Sequence, residues 1–225
     1  MSFIILKTPF TMLISGGTGS GKTTLVSDMI FNIKEIVDIP PEKIIIVYSQ
    51  MQPLYEIIAS KSSIPVEFIE GLPDDLITPP RTLMILYDLQ TSNLKQNIKS
   101  WFCAKSHHYE TSLIYITQNI FESSKQHRDI SLNSHYIVLF KNPRDMSQIR
   151  YIAGQMDPNN PKNIIEAYKL ATKEPHTYLL LDLRQSTPDY ARLRQSIIPG
   201  KGVIKTHIFT TDSNFPAETF NLTGK

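Results

Sequence analysis

Apolar residues gather in short, nearly uninterrupted runs along this chain, and segments of mixed polarity separate one run from the next. The runs are rich in β-branched and aliphatic side chains. They occupy residues 11–15, 43–48, 82–87, 112–117, 136–140 and 178–183. Strands that helices cover on both faces have such continuous apolar sequences, whereas strands with one face in water alternate apolar and polar residues. The pattern therefore predicts an α/β fold with a mostly parallel central sheet flanked by helices.

Helical periodicity marks three of the segments between these runs. In residues 23–36, apolar side chains from Leu25 to Ile36 recur at the spacing of one helix face. Residues 93–105 and 146–156 are further helix candidates. Helices thus alternate with strands along the chain, as they do in α/β proteins.

Length and periodicity together predict one domain followed by a tail. The chain has 225 residues, of which 41% are hydrophobic and 20% charged, within the range of a single globular domain that buries a full core. The periodicity fades near residue 199, after which glycine and proline recur. We therefore expect a folded domain over residues 1–198 and a loosely packed tail over residues 199–225.

Charge and cysteine content exclude few classes of function. A net charge of +2 is too small to indicate nucleic-acid binding by itself. The single cysteine, Cys103, cannot form an internal disulfide, and the first residues lack the pattern of a secretory signal, so we expect a reducing compartment. No apolar run approaches the ~20 residues of a membrane-spanning helix, so no membrane span is expected.

The residues after the first predicted strand satisfy the Walker A pattern of P-loop NTPases in full. They are Gly16, Gly17, Thr18, Gly19, Ser20, Gly21, Lys22 and Thr23. Glycines let such a loop curl so that its backbone N–H groups converge on phosphate oxygens, in front of the positive end of a helix dipole. Lys22 then reaches the β- and γ-phosphates, Thr23 offers a hydroxyl to Mg²⁺, and Thr24 contacts a phosphate or continues the helix. The loop predicts a site for ATP with Mg²⁺.

P-loop hydrolases also need an acid at the end of a neighbouring buried strand, and Asp88 follows the run 82–87. Motor ATPases commonly place two acids in sequence here, the first for the metal and the second for water. This chain has Tyr87 before Asp88. Asp88 is therefore either the metal-side acid without a following glutamate, or the water-side acid with a tyrosine at the metal-side position.

Further polar residues follow other predicted strands. Gln118 comes after the run 112–117, at the edge of a parallel sheet where ligands bind, and its amide can orient water. Arg128 and Arg144 are both candidates for an arginine finger on the nucleotide of a neighbouring subunit. The six histidines show no metal-binding spacing, so none is assigned a ligand role.

Scattered basic residues are candidates for a DNA-facing surface if they converge in space. They are Lys95, Lys99, Lys105, Arg184, Arg192, Arg194, Lys201 and Lys205. Solvated surface charge is the simpler interpretation for most of them.

The order of these signatures resembles that of a known family. After Walker A come residues 83–89, 112–119, 128–133, 140–145, 178–184, 187–189 and 192–194. The series resembles the DNA-packaging ATPases of the FtsK–HerA superfamily, in the form found in poxvirus-like large DNA viruses, virophages, adintoviruses and Maverick/Polinton elements. The most discriminating parts are Thr-Gln-Asn at 117–119 and Phe-Lys-Asn-Pro-Arg-Asp at 140–145, and the resemblance covers about residues 8–198.

The resemblance implies a RecA/FtsK-HerA-like P-loop NTPase that hydrolyses ATP, assembles as a ring, with a hexamer expected, and moves double-stranded DNA into a preformed capsid. Carried over by position, Lys22 and Thr23 serve phosphate and metal, Asp88 is the acidic residue, Gln118 the sensor and Arg128 the trans-acting finger. Implied partners are double-stranded DNA, further copies of the chain and capsid proteins. The implied location is the host cytoplasm or nucleus, where virus particles assemble, or the virion.

Two other functional classes stay open. A P-loop kinase would need an arginine-rich lid, and no such segment lies between the later predicted strands. A nucleotide-binding assembly protein with weak or no hydrolysis is the other alternative. It is favoured by Tyr87, because relatives in the resembled group typically show two acids where this chain has Tyr87 and Asp88.

Overall fold

The computed structural model describes residues 5–87, 89, 98–120, 125–144, 146–200, 203–209 and 218–223. Within these residues it has one eleven-stranded sheet. The strands are β1 Thr11–Ser15, β2 Lys43–Tyr48, β3 Val66–Glu70, β4 Thr82–Tyr87, β5 Ser112–Thr117, β6 Tyr136–Phe140, β7 Tyr178–Asp182, β8 Leu193–Gln195, β9 Pro199–Gly200, β10 Val203–Phe209 and β11 Glu218–Thr223.

Helices connect the strands on both faces of the sheet. They are α1 Lys22–Phe31, α2 Ile33–Ile36, α3 Pro53–Lys61, α4 Ser106–His108, α5 Lys125–Leu132, α6 Ser147–Met156 and α7 Pro161–Ala171. A π-helical turn, Trp101–Lys105, leads into α4, and a 3₁₀ turn, Asp189–Ala191, precedes β8. No helix among the described residues is both long and apolar enough to span a membrane.

The sheet has a parallel part and an antiparallel part. Six neighbouring strands, in the order β6-β1-β5-β4-β2-β3, run parallel. Beyond β6, the strands β7, β8, β10 and β11 follow in antiparallel pairs, and β9 pairs with β10. The predicted α/β class with a mostly parallel central sheet and flanking helices is confirmed.

Two apolar layers cover the sheet, and they explain the continuous apolar runs. Leu83 and Ile85 of β4 pack in one cluster with Met29 of α1, whereas Met84 packs on the opposite face with Ile152 of α6. Every residue of β4 is therefore buried, whichever way its side chain points. Burial on both faces gives the strand its unbroken apolar sequence.

The predicted strands agree closely with the observed ones. Five of the six runs begin and end where β1, β2, β4, β5 and β6 do, and the sixth, predicted over 178–183, ends at Asp182. Of the predicted helices, 23–36 is divided at Asn32 into α1 and α2, and 146–156 begins one residue late as α6. The start of the helix predicted over 93–105 lies outside the described residues.

Regular structure also occurs where none was predicted. β3 is a half-exposed strand in which Glu67 and Glu70 interrupt the apolar residues, so it lacks an apolar run. Within the expected tail, 203–209 and 218–223 form β10 and β11, which extend the sheet by hydrogen bonding to β8 and to each other, whereas its loose packing stays a prediction. The domain boundary at residue 198 stays a prediction.

Candidate nucleotide-binding site

The carboxyl ends of the parallel strands meet at one edge of the sheet, and the predicted phosphate loop lies at this edge. Ser15, the last residue of β1, pairs in register with Thr117 of β5 on one side and with Leu139 of β6 on the other. Gly16 and Gln118 follow β1 and β5, so these two predicted groups reach the same edge. In open α/β sheets, ligands bind outside the carboxyl ends of the strands.

Glycines shape the loop between β1 and α1. The backbone φ is 76° at Gly19 and 107° at Gly21, in the left-handed region that a β-carbon disfavours. A β-carbon added to Gly16 would lie 2.6 Å from Cβ of Phe140 and 2.7 Å from Oγ of Ser20. The loop therefore depends on glycine both for its curl and for its close approach to β6. Such a curled loop points successive N–H groups at one place, which suits a phosphate.

The positive end of α1 adds to this site. The first helical hydrogen bond runs from Leu25 N–H to the Gly21 carbonyl at 2.9 Å, so α1 begins directly after the loop, and the N-terminus of a helix favours anions. Lys22 Nζ donates to the carbonyl oxygens of Gly16 at 2.5 Å and Gly17 at 2.9 Å. The ammonium group is thus held against the loop, where its charge and the helix dipole both favour an anion.

A cavity of about 600 Å³ opens between the loop and the antiparallel strands. Its first wall consists of residues 19–25 with Asp28, and its second of residues 176–178 with Gln195, Ser196 and Ile198. Sites for small ligands and cofactors commonly have volumes of about 300–1,000 Å³. The predicted residues that line it are Gly19, Ser20, Gly21, Lys22, Thr23 and Thr24, whereas Gly16, Gly17 and Thr18 do not. The structure thus brings most of the predicted phosphate loop to one cavity.

The second wall depends on a strand direction that the sequence pattern does not reveal. β7 runs antiparallel to β6, with Tyr178 opposite Phe140, so the residues before β7 lie at the carboxyl edge of the parallel strands. One of them, His176, places Nδ1 3.3 Å from the carbonyl oxygen of Ser20. A carbonyl only accepts, so Nδ1 carries the hydrogen. Sequence reasoning missed His176 because residue spacing contains no signal for this contact.

Thr23 and Asp88 are the predicted magnesium ligands. Thr23 lies in the first turn of α1 and lines the cavity. Asp88 lies outside the described residues, so both of its possible roles stay predictions. No cluster of three or more His, Cys, Asp or Glu side chains that could hold a metal occurs in the part of the chain that the structure describes. Magnesium at nucleotide sites takes one or two protein ligands together with phosphates and water, so Thr23 fits this chemistry.

The residue before Asp88 belongs to the core. Tyr87 is 4% exposed, and its ring lies 5.5 Å from that of Tyr55. Its hydroxyl has no hydrogen-bond partner among the described residues, and burial raises the pKa of this phenol far above its ordinary value. Tyr87 is therefore a neutral phenol and cannot replace a carboxylate as a ligand of a metal ion.

The sensor and finger candidates lie outside the cavity. Gln118 is exposed at the end of β5, on the other side of β1 from the cavity. Arg128 on α5 and Arg144 after β6 are both exposed, and neither lines the cavity. Exposure leaves each arginine accessible to a second copy of the chain, as a trans-acting finger requires.

The proposed DNA-facing basic residues do not share one environment. Arg194 is fully buried in an ion pair with Asp182, so its candidate role on a DNA-facing surface is wrong, and it is not solvated surface charge either. Arg184 and Arg192 donate hydrogen bonds to backbone carbonyl groups, and Lys99 pairs with Asp129 at 2.6 Å. Lys95, Lys201 and the side chain of Lys205 lie outside the described part of the chain.

No protein-family model matches this sequence, and comparison with curated proteins gives no match. Among solved structures, B204, the DNA-packaging ATPase from Sulfolobus turreted icosahedral virus, is 13% identical and aligns with a TM-score of 0.54 over 81% of this chain and 96% of that chain. The genome packaging NTPase B204 from Sulfolobus turreted icosahedral virus 2, in complex with AMPPCP, is 15% identical with a TM-score of 0.50 over 80% and 94%. At these identities the likeness shows the fold: the chain has the α/β architecture of P-loop NTPases.

Proposed function

We propose that this chain is an ATP-driven translocase of double-stranded DNA that packages a viral or virus-like genome into capsids. The observation that carries the proposal is the glycine loop at 16–23, which lies at the ligand-binding edge of the sheet with Lys22 held across it. The packaging role is supported by the order of motifs in the sequence. It is also supported by the fold shared with B204, a DNA-packaging ATPase.

Each predicted site residue has a role in this proposal. Lys22 binds the β- and γ-phosphates, Thr23 and Asp88 hold Mg²⁺, and Gln118 orients the attacking water. The metal, when bound with the nucleotide, neutralises charge that develops on the transferred phosphate. The remaining work of the protein is to position these groups around the phosphates.

The proposal includes assembly into a ring, with a hexamer expected. Arg128 then acts on the nucleotide of the adjoining subunit, and Arg144 is the second candidate. An arginine finger is worth about 10³-fold or more in rate where one has been measured. Capsid proteins are the further partners, and the chain acts in the host cytoplasm or nucleus, where virus particles assemble.

ATP turnover with and without DNA tests the function. We expect the purified protein to release phosphate from ATP in the presence of Mg²⁺, and we expect duplex DNA to raise the rate. Lys22→Ala abolishes turnover, because the phosphates lose their fixed positive charge. DNA-independent transfer of phosphate to a small acceptor would instead support a P-loop kinase.

Rings assembled from two different variants test whether Arg128 is the trans-acting arginine finger. Subunits with Arg128→Ala retain an intact loop, and subunits with Lys22→Ala retain the arginine, so a mixture should recover activity that each variant lacks alone. A mixture of Arg144→Ala with Lys22→Ala subunits tests the second candidate in the same way. Full activity of Arg128→Ala by itself, without any rescue in the mixture, would remove Arg128 from the site.

Tyr87 favours a second candidate function, a nucleotide-binding assembly protein with weak or no hydrolysis. This residue stands beside Asp88, where relatives in the resembled group carry two acids, and its buried phenol stays neutral. Tight binding of ATP without phosphate release, whether or not duplex DNA is present, would support this candidate over the motor.

A further inference from the structure

We propose that the wall formed by His176 and Ser196 binds the ribose and base of the nucleotide whose phosphates lie in loop 16–23. This inference rests on the proposed nucleotide binding and gives the bound molecule a direction. The nucleoside lies toward β7 and β8, and the terminal phosphate lies toward β5.

The order of the strands supports this direction. β1, which ends at the loop, has β5 on one side and β6 on the other. Gln118, the predicted water-orienting residue, follows β5. The cavity lies on the opposite side, where residues 176–178 lead into β7, which pairs with β6. Its volume of about 600 Å³ leaves room beyond the loop for a nucleoside.

Backbone conformation supports the choice of residues. His176 and Ser196 both have a φ of 62°, although neither is a glycine, and both line the cavity. Such conformations are disfavoured for residues with a β-carbon and concentrate at ligand-binding sites, where the surroundings hold them. The other two described residues of this kind, Arg81 and Glu110, lie away from the cavity and are joined by a backbone hydrogen bond of 3.2 Å. Two strained residues therefore face one cavity.

Direct contacts join the wall to the loop. His176 Nδ1 lies 3.3 Å from the Ser20 carbonyl oxygen, and a β-carbon on Gly21 would lie 3.3 Å from the His176 Cβ. A bound ligand that extends from the loop into the cavity on this side therefore contacts His176. Because Nδ1 is directed at the Ser20 carbonyl, Nε2 is the ring nitrogen left to contact a ribose hydroxyl.

The second segment of the wall is held in place by the first. The Tyr178 hydroxyl accepts a hydrogen bond from the Ile197 N–H at 3.1 Å, which ties the chain beside Ser196 to the start of β7. Ser196 offers a hydroxyl, and Ile198, which is partly buried, offers aliphatic surface to a flat base. Polar groups beside an apolar face are the combination that a nucleoside requires.

A double variant, His176→Asn with Ser196→Gly, tests the wall without disturbing its backbone, since asparagine and glycine both tolerate positive φ. The exposed His108, changed to asparagine, is the matched control. Calorimetric titrations use three probes: ATP, AMP and inorganic tripolyphosphate, which has no nucleoside. We expect the double variant to bind ATP and AMP about tenfold more weakly and tripolyphosphate as the wild type does, with the control unchanged.

Equal ATP affinity in the wild type and the double variant would overturn the proposal. An equal loss of ATP and tripolyphosphate binding would also overturn it, because the wall would then only support the loop. A wild-type protein that binds none of the three probes would remove the underlying nucleotide site as well. Photolabelling with 2-azido-ATP provides an independent test on the unaltered chain: a crosslink within 174–198 supports the proposal, and one within 112–120 contradicts it.

Discussion

Gly16 is required by packing rather than by backbone conformation. Its φ is not among the positive values, yet an added β-carbon would lie 2.6 Å from Cβ of Phe140, a distance that side chains do not tolerate. A β-carbon added to Gly17, the next residue, would meet nothing within 4 Å. The two neighbouring glycines can therefore be compared directly, because only Gly16 lies in a tightly packed position.

Gly16→Ala should lower protein stability, and Gly17→Ala should not. Forcing an extra carbon between β1 and β6 costs about 1–3 kcal/mol, because Phe140 and the backbone of both strands must shift. Thermal unfolding of the two variants beside the wild type measures the difference. Equal unfolding temperatures for the two variants would show that the loop is not packed against β6 as described.

His135 is a half-buried histidine that the fold keeps neutral. Its Nδ1 accepts a hydrogen bond from the Thr11 N–H at 3.0 Å, and its ring lies 5.8 Å from that of His107. Burial, together with the electrostatic effects of Arg184 and His107, lowers the pKa of His135 to about 4. Protonation would place a hydrogen on the atom that accepts from Thr11.

This lowered pKa predicts a pH dependence of stability. The unfolded chain takes up a proton on His135 near pH 6.5, whereas the folded chain does so only near pH 4, so stability falls as the pH drops between these values. One titrating group limits the slope to about 1.4 kcal/mol per pH unit, and partial exposure of His135 reduces it further. His135→Asn keeps an acceptor but cannot titrate, so its unfolding free energy should fall less than that of the wild type across this range. His108→Asn is the control. Identical slopes for His135→Asn and the wild type would contradict the assignment.

At the scale of elements, β7 and β8 are joined by a buried ion pair. Asp182 and Arg194 are 1% and 0% exposed, and the Asp182 carboxylate also accepts from the Arg184 N–H at 3.1 Å. Asp182 lies opposite Tyr136, the first residue of β6, so the pair lies at the edge of the sheet away from the nucleotide cavity. The pair therefore holds together β7 and β8, two strands of the antiparallel part.

Replacing one partner of this ion pair should lower the protein's stability far more than replacing both partners with apolar residues. Asp182→Asn leaves the Arg194 guanidinium buried without its counter-ion, and such changes cost about 3–5 kcal/mol. The double variant Asp182→Leu with Arg194→Met should recover part of that loss, since no buried charge remains. Denaturant unfolding measures both. Asp189→Asn is the control, because Asp189 is 92% exposed in its pair with Arg192. A double variant no more stable than the single one would contradict the role given to the charges.

Most of the parallel sheet could be predicted from sequence, and most of the antiparallel part could not. β1, β2, β4, β5 and β6 are buried on both faces, so their apolar runs stand out without reference to tertiary structure. β8 spans only three residues and contains Arg194. The charge of this residue predicts a surface position from sequence, but in the fold Asp182 neutralises it.

The candidate site divides in the same way. Loop 16–23 could be predicted because its chemistry depends on residues adjacent in sequence. His176 and Ser196 could not, because they join the loop only through the reversal of strand direction between β6 and β7.

At the scale of the whole molecule, the cavity lies where the parallel part of the sheet meets the antiparallel part. The loop and the N-terminus of α1 come from the parallel part, and the opposite wall comes from β7, β8 and the residues beside them. A nucleotide bound here contacts both parts at once. Binding should therefore stabilise the whole sheet rather than one element, since it adds contacts that the unfolded chain lacks.

Titration of ATP into the wild type and Lys22→Ala, both with Mg²⁺, is the most direct test of the central claim that loop 16–23 binds the phosphates. Lys22→Ala keeps the glycines and the helix but removes the ammonium group that lies against the loop. We expect the wild type to bind ATP and the variant to bind it at least about a hundredfold more weakly. A folded wild-type protein with no measurable affinity for ATP would contradict the claim.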